Sequence, residues 1–162
     1  MSDPVEDLLI AAGCEEEVIR HCRTVCQSAR RYITSLANAR QVEEGAMLHD
    51  IGRCRTHAID HGQVGAELAR HLGVSPEITR IIECHIGAGL TSDECTLLRL
   101  IPRDCIPRTL EEKIVAHADN MVQGTRICIL PTAVLYPYHL PRRICMRLYR
   151  LALEMEQCYD WR

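Results

Sequence analysis

Histidine 49 is followed directly by Asp50 in the stretch Met47-Leu48-His49-Asp50-Ile51-Gly52-Arg53, and the pair supplies two metal-ligating chemistries from one short piece of backbone. An imidazole nitrogen and a carboxylate oxygen suit zinc, manganese or ferrous iron, and because a carboxylate has two oxygens, Asp50 can bridge two ions. Two adjacent residues of common types also occur by chance, and a lone buried histidine is more often a hydrogen-bonded core residue than a ligand. The pair therefore gains meaning only if the fold brings other ligands to it. The other candidates are His21, His61, His85 and Asp119. Asp119 stands in the apolar pattern of its segment, where an ionised carboxylate costs several kcal/mol to bury unless it is paired or bound to a cation.

These residues fall on helices or at helix ends. Ser2, Asp3 and Pro4 cap a short helix from Val5 to Ala12, stopped by Gly13. From Glu15 to about Leu36 the apolar positions Val18, Ile19, Cys22, Val25, Cys26, Ala29, Ile33 and Leu36 recur at three and four, with His21 and Ser28 along one edge. On this helix alone, an exposed His21 and a pocket-facing one are equal readings. Val42 to Ile51 forms a third helix, closed by Gly52. His57 to Gly62 leads into a helix through Leu72, and an early start would put His57 and His61 one turn apart on a shared face. Ser75-Pro76-Glu77 caps a helix that delivers His85 to its end, before Gly87 and Gly89 break the chain. Thr91 to Glu94 opens another with Leu97, Leu98 and Leu100 on its apolar side. Thr109 caps the helix carrying Asp119, which runs to Gly124. Ile127 to Tyr138, with two prolines, reads as a turn of helix or an extended connector. Leu140-Pro141 opens a final helix, with core positions Ile144, Leu148, Leu151 and Met155 beside a basic stripe of Arg143, Arg147 and Arg150. Such a stripe is most often a solvated face, and a phosphate or partner site is the minority reading. No period-2 run and no repeat is present, so the expected fold is all-α.

At 162 residues with a formal net charge of −3, the chain fits one domain over 1–162, and nothing global suggests a nucleic-acid or membrane binder. The polar N-terminus and the lack of a long apolar run lead to the expectation of a cytosolic, cytoplasmic protein. Its ten cysteines are scattered, form no paired C-x-x-C knuckles, and in such a setting are expected to be reduced small hydrophobes. With no phenylalanine, Leu, Ile, Val, Met and Cys must fill the interior.

The order histidine, His-Asp, distant aspartate resembles the HD-domain superfamily of metal-dependent phosphohydrolases. The motif stands here as HDIG at 49–52. Glu17 to Val25 looks like the family's first-histidine helix, His61-Gly-Gln-Val-Gly65 like the third-histidine segment of two-metal members, and Ile114 to Asn120 like the final-aspartate helix. The resemblance runs from about 15 to 124, with a C-terminal helix at about 141–158, and within the superfamily it is nearest to small archaeal single-domain proteins, a group that includes or neighbours an iron-dependent cyclic phosphodiesterase.

The resemblance implies a compact helical HD-domain bundle in which His21, His49, Asp50 and Asp119 hold one divalent ion, and His61 and His85 with bridging Asp50 hold a second. The ions would be Fe, Mn, Mg, Ni or Zn. It further implies hydrolysis of a nucleotide, a cyclic phosphate or a related small phosphate ester, with a di-iron oxygenase or a non-catalytic nucleotide-binding module as alternatives. Asp50, Arg53 and His57 are the catalytic candidates; Arg53, His57 and Gly87 are the substrate contacts. The expected partner is a small phosphate-containing substrate, with no nucleic acid and no membrane, and homo-oligomer formation is left open. Arg53 stands where many members have lysine, and Ile86 where two-metal members often have a further histidine. His71, His117 and His139 are expected to be structural.

Overall fold

The computed structural model describes residues 3–129 and 140–159. Among these the chain forms α1 (Pro4–Ala12), α2 (Glu16–Ala29), α3 (Ala39–Leu48), α4 (His61–His71), α5 (Pro76–Cys84), α6 (Ser92–Leu97), α7 (Leu110–Asn120) and α8 (Arg142–Glu156). A hairpin of two-residue strands, β1 (Val122–Gln123) and β2 (Arg126–Ile127), follows α7. The fold is all-α apart from this hairpin, which no two-residue alternation in the sequence could announce. None of the described helices is long and apolar enough to cross a membrane.

Local chemistry sets most helix starts. Side chains of Asp3, Asn38, Ser75, Thr91 and Thr109 each accept a backbone N–H from the first turn of the helix that follows, occupying donors that would otherwise have no partner. The apolar stripe of α2 packs on α3 and α7, and α5 closes on α3 and α7. Val25, Val42, Ala46, Ile82 and Val115 are fully buried in the middle of this assembly. All ten cysteines are free thiols, and several of them fill core positions.

The structure departs from the sequence expectation in several places; the helix expected to run to Gly124 ends at Asn120. The second helix stops at Ala29 instead of running to Leu36: a 3-10 turn, Arg30–Tyr32, turns Tyr32 inward against the edge of His117, with ring centroids 4.8 Å apart. Ile33 is then extended, and Leu36 is 87% exposed instead of lying in the stripe. The third helix ends at Leu48, and residues Ile51–Cys54 form a separate 3-10 turn. Gly52 is not a left-handed terminator; it is where two backbones meet, since a Cβ there would lie 2.7 Å from the amide nitrogen of Gly65. Leu97 of the short α6 faces solvent.

Along the basic stripe of α8, Arg143 and Arg150 are exposed, as a solvated face would be, while Arg147 is half-buried and engaged. Arg147 Nη2 donates to Glu94 Oε2 at 2.6 Å and to the Gly89 carbonyl at 3.0 Å, and Arg143 Nε lies 3.1 Å from Glu94 Oε1. Together with burial of Leu148, Leu151 and Met155, this ties α8 to the loop after His85. His139 and most of the Ile127–Tyr138 connector lie outside the described residues.

Candidate metal centre

Four histidines share one hydrogen-bonding arrangement. Nδ1 of His49, His61 and His85 donates to the carbonyl three residues earlier, of Ala46, Ala58 and Ile82, each at 2.7 Å. Nδ1 of His21 donates to the Gly124 carbonyl at the hairpin turn, also at 2.7 Å. A carbonyl only accepts, so each Nδ1 carries a proton and each neutral ring turns an Nε2 lone pair the other way. All four lone pairs point at one place.

Two carboxylates meet them there. Asp119 Oδ1 lies 3.0 Å from His21 Nε2 and 3.5 Å from His49 Nε2. Asp50 divides its oxygens: Oδ2 lies 3.7 Å from both His21 and His49 Nε2, while Oδ1 lies 3.2 Å from His61 Nε2 and 3.5 Å from His85 Nε2. Asp50 thus stands between two lobes, His21-His49-Asp119 on one side and His61-His85 on the other. The donors His21, His49 and Asp119, and likewise His49, Asp50 and His85, fall within 4.8 Å of one another.

The electrostatics of this cluster fit a cation. Burial alone would raise the pKa of Asp50, but His49 beside it, and a proton placed on Nε2 of His61 or His85 when no cation is present, hold it well below the usual carboxylate range. Asp119 is held low in the same way against its burial, by His21 and His49. For His49, burial is the largest single influence and favours the neutral ring, yet Asp50, Cys22 and Asp119 together outweigh it and lift the pKa above the ordinary value; for His85 burial wins and the pKa falls. His49 Nε2 and Asp50 Oδ1 are buried without a hydrogen-bond partner. Two ionised carboxylates facing inward-turned imidazole lone pairs leave acceptors opposed to acceptors, with His61 and His85 Nε2 atoms only 3.1 Å apart. Such an arrangement costs free energy unless a cation sits among the donors. His21, His49, Asp50, His61, His85 and Asp119 therefore suit one or two divalent ions of the N,O-ligand class.

A cleft of about 360 Å³ opens onto the cluster, lined by His21, Asp50, Arg53, His57, Gly124 and the acidic pair Glu15 and Glu17. Arg53 is not simply turned to solvent: its Nε donates to Asp50 Oδ2 at 2.6 Å, while its Nη atoms make no hydrogen bond among the described residues. His57 is exposed at the rim, but α4 begins only at His61, so the two share no helical face. Gly87 does not line the cleft, contrary to its expected substrate role. Its φ of 60° turns the chain after His85, its carbonyl accepts from Asn120 Nδ2 at 2.7 Å, and its Cα faces Leu148. His71 is exposed, and His117 is buried with its pKa pushed down to about 4 by desolvation, both outside the cluster. Glu15, Glu17 and Gly124 were not singled out in the sequence; Glu17 stands one helical turn before His21, a spacing that could have found it.

The HD domain family profile matches residues 18–122. An uncharacterised protein of Methanocaldococcus jannaschii is 48% identical over 119 residues, which cover 70% of each chain. A tRNA (cytidine(56)-2'-O)-methyltransferase of Picrophilus torridus is 45% identical over 121 residues, 74% of this chain but 36% of that protein. A Ribonuclease Y of Acidothermus cellulolyticus is 44% identical over 85 residues, 51% of this chain and 14% of that protein. The chain thus spans only a minor part of the methyltransferase and of the ribonuclease. No solved structure matches.

Proposed function

The chain belongs to the HD-domain family, a superfamily of metal-dependent hydrolases, and from that premise we propose that it hydrolyses a phosphate ester, a phosphodiester in first place. The observation that supports this most is the split of Asp50 between two lobes of imidazoles whose Nδ1–H groups are all tied to backbone carbonyls. One lobe, His21, His49, Asp119 and Asp50 Oδ2, would hold one ion; His61, His85 and Asp50 Oδ1 would hold the other, where Ile86 adds no ligand. Divalent ions held there supply Lewis acidity and lower the pKa of water.

The remaining work belongs to side chains. Arg53 uses Nε to hold the Asp50 carboxylate in its bridging orientation and has its Nη atoms left for a non-bridging phosphate oxygen. A lysine, which carries a single ammonium, could not hold both in that planar geometry, which gives the departure from the family's lysine a physical reason. His57, at the rim, is placed to give a proton to the leaving oxygen. Among the relatives, Ribonuclease Y acts by its name on RNA, a phosphodiester polymer, and this supports a diester over a monoester.

The test is hydrolysis of bis(p-nitrophenyl) phosphate by wild type and Asp50→Ala, with manganese or ferrous iron. Rates falling to background in the variant support the reading, and equal rates overturn it. Oxygen uptake coupled to product formation without ester cleavage would replace it with an oxidative reading. Stoichiometric nucleotide binding without turnover would replace it with a regulatory one.

A further inference from the structure

A second cleft, of about 480 Å³, lies between α4 and the segment after α6. It is lined by Val64 and Leu68 of α4, by Arg99, Leu100 and Ile101 of the later segment, and by Arg55. The later segment is fixed to the helix by one side chain: Gln63 Nε2 donates to the Ile101 carbonyl at 2.8 Å, and the Ile101 N–H donates to Gln63 Oε1 at 2.9 Å. This two-point clamp makes the cleft a preformed feature and sets where Arg99 stands.

Arg99 has a φ of 60°, the left-handed region, and it is the one described non-glycine residue to do so. It follows the end of α6, where its N–H and that of Leu100 close back on the carbonyls of Thr96 and Cys95. The corresponding positions after α1 and α4 are Gly13 and Gly73, with φ of 87° and 77°. Glycine adopts that conformation freely, and an arginine does so at a cost. Here the chain carries a long cationic side chain in a glycine slot, and that side chain lines a cleft.

The charges around the cleft sort into engaged and unengaged groups. Asp60 Oδ1 accepts from Thr56 at 2.9 Å, Glu67 pairs with Arg70 at 3.0 Å and faces His71 at 3.7 Å, and Arg103 is paired with Glu83 at 3.0 Å. The side chains of Arg55 and Arg99 make no hydrogen bond or ion pair among the described residues. Two unengaged guanidinium groups over an aliphatic wall fit an anion with an apolar, planar body, because guanidinium binds phosphate bidentately and stacks on aromatic rings.

We propose that this cleft binds a nucleoside phosphate, with its phosphate held by Arg55 and Arg99 and its base lying on Val64, Leu68 and Ile101. The volume lies in the range of small-molecule sites. Arg55 closes the same 3-10 turn that carries Arg53, and Asp60 precedes the metal-cluster residue His61, so the cleft is tied to the metal centre through neighbouring residues of the chain, although the two clefts share no lining residue. The phosphate group could therefore be a second one on the hydrolysed substrate or that of a separate ligand. The inference does not rest on the hydrolytic reading.

The informative variant is Arg99→Gly, which removes the cation and at the same time relieves the backbone. AMP is titrated calorimetrically into metal-loaded wild type, Arg99→Gly and Arg55→Gln. At least a ten-fold loss of AMP affinity in both variants is expected, with unchanged metal content and, for Arg99→Gly, a Tm equal to or above that of wild type. AMP affinity unaltered in both variants, no AMP binding to wild type at millimolar concentration, or a loss accompanied by a lower Tm in Arg99→Gly would overturn the proposal. Two further measurements assign the source. A raised KM with unchanged kcat for a dinucleotide in Arg99→Gly makes the phosphate part of the substrate; AMP that alters bis(p-nitrophenyl) phosphate hydrolysis in wild type but not in Arg99→Gly makes it a separate ligand. If wild type hydrolyses neither ester, the calorimetry still reads the cleft by itself.

Discussion

Replacing Gly52 by alanine adds one methyl group at the point where the His-Asp turn touches α4. A Cβ there would lie 2.7 Å from the Gly65 amide nitrogen, 2.9 Å from its Cα and closer still to the carbonyl oxygen of His61, whereas ordinary contact begins at 3.4 Å. All three obstacles are backbone, so no rotamer change relieves them, and the turn and the helix must separate by roughly 1 Å. Gly52 has no left-handed φ, so alanine suffers no conformational penalty and gains about 0.5–1 kcal/mol through the unfolded chain. Overpacking against rigid backbone belongs at the upper end of its range, about 3 kcal/mol, which less that gain leaves about 2–2.5 kcal/mol and for a chain of this size lowers Tm by about 4–10 °C. The displaced carbonyl belongs to His61, which faces Asp50 Oδ1 at 3.2 Å, and metal–ligand distances tolerate only about 0.2 Å. The His61-His85 lobe should lose its ion while the His21-His49-Asp119 lobe keeps its own. Differential scanning calorimetry reads the first effect, and elemental analysis of metal per chain reads the second. Gly13→Ala is the control: nothing stands within 4 Å of a Cβ there, but φ is 87°, so it should cost about 1–2 kcal/mol and leave metal content alone. A Gly52→Ala protein with wild-type Tm and metal content would refute the contact and the coupling drawn from it.

Chelation should lower Tm by about 5–10 °C, the linkage expected for an ion present at roughly a hundred times its Kd, and readdition of manganese should restore it; a Tm indifferent to chelator would remove the metal from the account. Arg53→Lys keeps the charge but loses the 2.6 Å bond from Nε to Asp50, and should reduce kcat/KM on a diester by about ten-fold, equivalent to about 1.4 kcal/mol; wild-type kinetics would show that Arg53 does not orient Asp50. Glu94→Gln removes the carboxylate that Arg143 and Arg147 share and should destabilise by about 2–3 kcal/mol in urea unfolding without altering metal content; an unshifted midpoint would mean that α8 is held by its apolar face alone. Burial pushes the thiols of Cys14 and Cys105 up to about 12 and about 11, so both should resist iodoacetamide at pH 8 in the folded protein and react once it is unfolded; mass spectrometry showing early labelling of either would contradict their placement.

Helix identity and most helix starts were legible because they depend on local chemistry: a cap residue, a proline, an apolar stripe. The ends were less so. Nothing within residues 29–36 shows that Tyr32 turns in to meet His117, because that contact spans more than eighty residues, and the apolar spacing through Leu36 continues as if the helix did. A glycine after a helix usually terminates it, and only the third dimension reveals that the missing Cβ of Gly52 makes room for Gly65. Arg143 and Arg147 read as surface because their acid, Glu94, lies about fifty residues upstream and doubled as a cap signal. Among the metal-site candidates, the adjacent His49 and Asp50 were visible by themselves; His21, His61, His85 and Asp119 came from their order along the chain. A glycine beside a ligand histidine serves backbone geometry as readily as substrate access, and Gly87 turns the chain after His85.

What the sequence does contain, in compressed form, is the aim of each histidine. His49 and His85 directly follow the last residues of α3 and α5, where the final carbonyls of a helix have no intrahelical partner. Those carbonyls, of Ala46 and Ile82, take the Nδ1–H of the histidine three residues on, so the helix end satisfies its own orphan acceptor and in the same contact fixes the tautomer and direction of the ring. His61, at the first turn of α4, does the same with the Ala58 carbonyl of the preceding loop. His21 is the exception: it sits inside α2, where carbonyls are already spent, and must borrow Gly124 from the hairpin after α7. That hairpin is therefore part of the metal centre's geometry, although its two-residue strands carry no ligand. Gly124 thus holds His21 by its carbonyl, aimed by a left-handed φ of 61°; nothing lies within 4 Å of a Cβ there, so a side chain would strain the turn without meeting an obstacle. The ligand most exposed to error in this site is thus the one whose orientation is set across a hundred residues, while the three whose orientation is set three residues away are secured by the helices that deliver them.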